Sequence, residues 1–179
     1  MVTAFLDERG LALNQDKTRM VHRTEGFDFL GFHVQMRGPK LLITPQQQKV
    51  QELLQEARSW LKTHQTVAAE VVIRHLNPLI RGWAIYYRHV VSKHTFQKVD
   101  YHLWRALWRW AKRRHPRKPM RWIYRQYFEV GKYGATFYAE SRDRRGKKIR
   151  LRLERMPAIP IVRHVKVKGS ASPDDPTLK

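Results

Sequence analysis

Residues 76–116 read LNPLIRGWAIYYRHVVSKHTFQKVDYHLWRALWRWAKRRHP. Apolar residues recur there at helical spacing. Leu79, Ile80, Trp83, Tyr86, Tyr87 and Val90 share one broad face, and Phe96, Val99, Leu103, Leu107 and Trp110 form a second stripe. Tyr101, Trp104 and Trp108 run beside the second stripe, and Arg81, Arg88, Arg105, Arg109, Lys112, Arg113 and Arg114 stand between them, with Arg117 just beyond. Over residues 71–128 fourteen lysines and arginines meet a single acid, Asp100. Solvated helix faces ordinarily mix signs. A surface both aromatic and cationic calls for a partner that is anionic and able to stack, and nucleic acid meets both conditions. The tryptophans, at helical spacing, belong mainly to a core. The arginines, whose guanidinium fork suits phosphate, are the expected contacts.

The whole chain agrees with that reading. Its 179 residues carry a formal net charge of +21, which opposes compaction and favours polyanions: nucleic acid first, an anionic membrane surface second. Aromatic residues make up 11% of the chain, against general disorder. There is no cysteine, hence no disulfide framework and no thiolate metal site. The N-terminal residues lack the basic and apolar segments of a signal peptide, and no apolar run approaches the roughly 20 residues that span a bilayer. The expected protein is soluble and cytoplasmic, with no membrane partner.

Taken in order, residues 2–9 suit a short helix stopped at Gly10, followed by a short strand and a polar turn over residues 14–18. Residues 27–34 read as a strand with apolar residues on both faces, largely buried, in which Gly31 marks the close approach of another backbone. A turn over residues 36–39 leads to a second strand, 40–43, completing a hairpin. Thr44, Pro45 and Gln47 form a helix start, with Val50, Leu53, Leu54, Ala57 and Leu61 as its apolar stripe. Thr66 caps a second helix, which Asn77-Pro78 interrupts, and Asn77 caps a third. Ser92 caps a fourth, ended by Pro116, and Pro119 opens a short one over residues 120–128. Beyond Glu129, residues 135–139 and the alternation of Ile149, Leu151 and Leu153 with Arg150, Arg152 and Glu154 predict a hairpin with a cationic face. The fold class is α+β, mainly α, in three parts: 1–43, 44–128 and 129–179.

No catalytic constellation emerges. The nine histidines are scattered without the spacing that zinc requires, Asp7-Glu8 point about 100° apart on a helix, and Asp174-Asp175 lie in a polar tail. Neither a nucleophilic triad nor a phosphate-cradling glycine loop is legible, so no catalytic and no metal residue is assigned.

The order of the segments resembles the C-terminal half of a group II intron reverse transcriptase/maturase. GLALNQDKT (residues 10–18) is similar to the late palm motif bearing a lysine, here Lys17. FDFLGFHV (27–34) resembles the primer grip, placing Phe29, Leu30 and Gly31 in it. Residues 76–90, 107–116 and 122–128 are similar to the maturase-specific thumb, or domain X. Residues 161–176 resemble the lead from the DNA-binding region into an endonuclease. The resemblance implies a partial palm (1–43), a helical thumb (44–128) and a basic DNA-binding-like region (129–179) with Arg150, Arg152, His164 and Lys166. It implies intron RNA as partner, with a DNA target and a separately encoded catalytic palm/fingers chain as further ones. The family's Tyr-Xaa-Asp-Asp motif belongs upstream of Gly10 and is not in this sequence. The expectation is therefore an RNA-binding maturase portion without its own polymerase site and with no cofactor of its own. Mg²⁺ is expected only in the complete polymerase or in the intron RNA. A split or truncated reverse transcriptase, or an inert remnant of one, is the alternative.

Overall fold

The computed structural model describes residues 5, 6, 8, 10–12, 14, 20–143 and 145–162; Lys17, His164 and Lys166, like most of the expected first helix, lie outside them. Among the described residues the element order is β1 (Phe27–Phe29), β2 (Phe32–Arg37), β3 (Lys40–Pro45), α1 (Gln47–Thr63), α2 (Ala69–Tyr87), α3 (Lys93–Arg114), α4 (Met120–Tyr127), β4 (Phe128–Gly131), β5 (Gly134–Arg142) and β6 (Lys148–Arg152). A 3-10 turn, Met156–Ala158, follows. The strands form two antiparallel sheets, β1-β2-β3 and β4-β5-β6, before and after the helices. The α+β class with helical predominance is what the structure shows.

The helical core forms because each helix has one apolar stripe to hide. Val50, Leu53, Leu54, Ala57 and Leu61 of α1 meet Val72, Ile73, Leu76 and Ile80 of α2 and Phe96, Val99, Leu103, Leu107 and Trp110 of α3 in one cluster. Burying each such side chain contributes about 1.5–3 kcal/mol relative to leaving it in water. Tyr127, Phe128 and Phe137 extend the cluster into the second sheet, with the Tyr127 and Phe137 rings stacked at 5.8 Å. Trp110 belongs to this core, and its Nε1–H donates to the His64 carbonyl at 2.8 Å.

Several expectations about local structure are corrected. Residues 27–34 are two strands joined by a tight turn at Leu30-Gly31, where φ is 48° and 83°. Positive φ at both positions is the signature of a two-residue hairpin turn. The reversal places Phe27 opposite Val34 and Phe29 opposite Phe32, so the apolar residues share one face instead of alternating between two. Much of that face is exposed rather than buried: Phe29 is 61% accessible and Leu41 59%. The close approach expected at Gly31 is real but comes from a side chain. A Cβ there would stand 3.0 Å from the Tyr87 hydroxyl, which donates to the Gly31 carbonyl at 3.1 Å.

Thr44 and Pro45 finish β3 rather than start a helix, and α1 begins two residues later with Gln46 as its cap. Ala68, not Thr66, precedes α2. The break expected at Asn77-Pro78 does not occur: α2 runs through Pro78 to Tyr87. An interior proline forfeits one backbone hydrogen bond and costs about 3 kcal/mol or more. Tertiary packing offsets it, since Leu76 and Ile80 on either side are fully buried. Asn77 has another task. Its amide donates to the Arg152 carbonyl at 3.0 Å and accepts from the Glu154 N–H at 2.8 Å, pinning the end of β6 to α2. Ser92 does precede α3, but its hydroxyl bonds to the Val90 carbonyl instead of capping. The second sheet has a strand, β4, that periodicity did not reveal, because it continues directly from α4 without a break.

Candidate nucleic-acid interface

Helix α3 buries one face and offers the other to solvent. Lys98, Arg105 and Lys112, spaced seven apart, lie along the exposed side with Arg109 between them. No ion pair among the described residues involves any of the four. The Arg105 guanidinium carbon sits 5.7 Å from the centre of the exposed Tyr101 ring. Arg113 and Arg117 are exposed at and beyond the helix end.

Asp100, the one acid of residues 71–128, is not on this surface. It is 7% exposed and held by Arg155, whose Nε lies 2.9 Å from both carboxylate oxygens and whose Nη2 lies 2.6 Å from Oδ2. Arg155 Nη1 donates to the Ala135 carbonyl at 2.8 Å and to Thr136 Oγ1 at 3.3 Å. The pair ties α3, β5 and the segment after β6 together, and the outer face of α3 remains purely cationic.

Other arginines singled out from the sequence are occupied. Arg114 turns inward: its Nη1 donates to the Gln65 carbonyl at 3.2 Å and to that of Val67, and its guanidinium lies 5.3 Å from the Trp110 ring. It fastens the α1–α2 loop to the end of α3. Arg81 pairs with Glu154, Nε to Oε2 at 3.2 Å, with a second contact from Nη2. Arg88 differs: it is half-buried at the end of α2, its backbone carbonyl accepts from the Val162 N–H at 3.0 Å, and its guanidinium is in no ion pair among the described residues. The expected cationic face of the C-terminal hairpin is largely neutralised. Arg150 lies 3.2 Å from Glu129 and 3.7 Å from Glu140, and Arg152 also pairs with Glu129. Arg152 first, then Arg150, hold the Glu129 carboxyl below its ordinary range. Glu129, Glu140 and Glu154 lie outside residues 71–128, so the local charge ratio could not reveal these pairings. Lys98 was not singled out, although its heptad spacing to Arg105 and Lys112 is legible.

The cations of α3 leave an electrostatic mark on their neighbours. Burial pushes the His102 imidazole below its ordinary value, and Arg58, Lys98 and Arg105 push it further; burial with Arg114 and Lys118 does the same to His115. A folded-state pKa below the unfolded value of about 6.5 means that the unfolded chain binds the proton more readily. The associated stability is present above that pH and lost as pH falls through the depressed folded values. The thermal midpoint is therefore expected to fall between pH 7.5 and 5, and His102→Gln combined with His115→Gln should flatten that fall in a melting series across pH.

The Leu30-Gly31 turn is also a built feature. The hydroxyls of Tyr86 and Tyr87 donate to its two carbonyls at 3.1 Å each, and Phe32 stacks on Tyr86 at 5.4 Å. The end of α2 thus holds Phe29, Leu30 and Gly31 in place beside the helical bundle.

Residues 50–128 match the family model described as the group II intron, maturase-specific domain. Over these residues the chain is similar to that domain. The match runs from within α1 through α4, including the cationic face of α3, and it supports a group II intron maturase role. A search of curated proteins found no match. No described helix is long and apolar enough to cross a membrane.

Proposed function

We propose that the chain binds group II intron RNA through the outer face of α3 and helps that RNA reach its splicing-competent fold. The RNA performs the transesterification and the protein supplies a phosphate grip. The observation that carries this reading is the stripe Lys98, Arg105, Arg109 and Lys112, cationic and free of ion pairs among the described residues, within the stretch similar to the maturase-specific domain. Arg113 and Arg117 extend the grip. Structured RNA would be read by shape, phosphates and unstacked bases, since its deep groove excludes side chains. Arg150 and Arg152 are weaker contacts to a DNA target, because a phosphate would first have to displace Glu129 or Glu140.

Salt dependence tests the proposal. Neutralising four phosphates of single-stranded RNA gives a log–log slope of the binding constant against salt of about −3, at roughly −0.7 per contact. A slope near zero in filter binding would remove the electrostatic grip.

A second reading has its own observation. Register places Phe27, Phe29, Phe32, Val34, Met36, Leu41, Ile43 and Pro45 on one face of the first sheet. Pro45 is buried and Phe32, Val34 and Met36 are half-buried, while Phe27, Phe29 and Leu41 are more than half exposed. An apolar surface of that kind fits a missing layer of a polymerase palm, on which the chain would complete a reverse transcriptase. Co-purification with a Tyr-Xaa-Asp-Asp-bearing chain, and primer extension by the mixture but by neither part, would support it.

A further inference from the structure

Beside the cationic stripe of α3 lies a groove of about 480 Å³. Its walls are the rings of Tyr101, Trp104 and Tyr133, its floor is the Asp100–Arg155 pair, and the Gln97 amide also lines it. The size falls within the range of ligand clefts, about 300–1,000 Å³. We propose that this groove takes one unstacked nucleobase of the bound RNA, a proposal that rests on the phosphate-grip reading and adds to it a site for a base.

The chemistry of the groove selects a planar, uncharged group. Arg155 uses Nε and Nη2 on Asp100 and Nη1 on Ala135 and Thr136, so each guanidinium nitrogen is engaged and the charge of the floor is cancelled. A phosphate would find no free cation there. The walls are aromatic and open to solvent: Tyr101 is 54% and Tyr133 42% exposed. Exposed aromatic faces stack on bases without regard to sequence. The cations stand at the flanks instead. Arg105 lies 5.7 Å from the Tyr101 ring and Lys132 Nζ 5.7 Å from the Tyr133 ring. A base held between the walls would leave its flanking phosphates near Arg105 on one side and Lys132 on the other. The Gln97 amide offers a donor and an acceptor to the base edge. Tyr101 lines this groove and adjoins Arg105 of the stripe, so one strand can engage both.

The test compares two probes on the full chain: an eight-nucleotide oligouridylate and an abasic ribose-phosphate octamer of equal charge, each in low salt. The oligouridylate is expected to bind about 5- to 150-fold more tightly, the range set by stacking one base. Tyr101→Ala and Tyr133→Ala should each shrink that preference, Tyr133→Ala leaving abasic binding unchanged, while Tyr101→Phe and Tyr133→Phe retain it. Circular dichroism checks that the alanine variants keep their helices. Equal binding of the two probes by the unaltered chain, or a preference that survives both alanine variants, overturns the base site while leaving the phosphate grip standing. Failure of both probes to bind overturns the two together.

Discussion

Replacing Arg105 and Arg109 together by glutamate is expected to lower affinity for intron RNA about 100-fold or more, with helix content by circular dichroism unchanged. Hydrogen bonds to charged groups are each worth about 1.5–3 kcal/mol, and reversal adds repulsion to their loss. Both side chains are exposed, lie on the outer face of α3 and take no part in any ion pair among the described residues. Their removal therefore leaves no buried group unpaired. Arg114→Glu makes the contrast. Its guanidinium holds two loop carbonyls and lies against Trp110, so that variant should lose stability as well. If the Arg105/Arg109 variant unfolds, these residues are structural. If it binds RNA as tightly as the original chain, the grip lies elsewhere.

Asp100→Ala should destabilise the fold by about 3–5 kcal/mol, because it leaves the Arg155 charge largely buried and without its partner. For a chain of this size that lowers the thermal midpoint by on the order of 10 °C, at about 2–4 °C per kcal/mol. Replacing both partners, Asp100→Leu with Arg155→Met, should recover most of the loss, since an apolar pair of similar volume needs no charge compensation. A shift below about 1 °C for Asp100→Ala would show the pair to be solvated rather than structural. The result also separates two meanings of an isolated acid. On charge counting Asp100 is a minor blemish on a cationic surface, whereas in the fold it fastens the C-terminal segment to α3.

The helices were legible because their signal is periodic and local. The stripes from Val50 to Leu61 and from Phe96 to Trp110 are the ones that the core buries. Signals that depend on two residues at a time were less secure. Leu30-Gly31 is not a common turn pair, and one reversed dipeptide moved Phe27 and Phe29 onto the face of Phe32 and Val34. Pro78 reads as a breaker, but burial of Leu76 and Ile80 carries α2 through it.

By itself, the sequence determined that this is a strongly cationic, mainly helical chain with a stretch similar to a maturase-specific domain, because composition, periodicity and motif order are properties of neighbouring residues. Which arginines are free for a partner was decided only by the tertiary structure. Arg81, Arg114, Arg150 and Arg152 find their counter-groups at Glu154, Gln65, Val67, Glu129 and Glu140. Arg105 and Arg109 pair with no carboxylate among the described residues. Coulombic and hydrogen-bond partners are set by distance through space, and charge along the chain records only which partners exist.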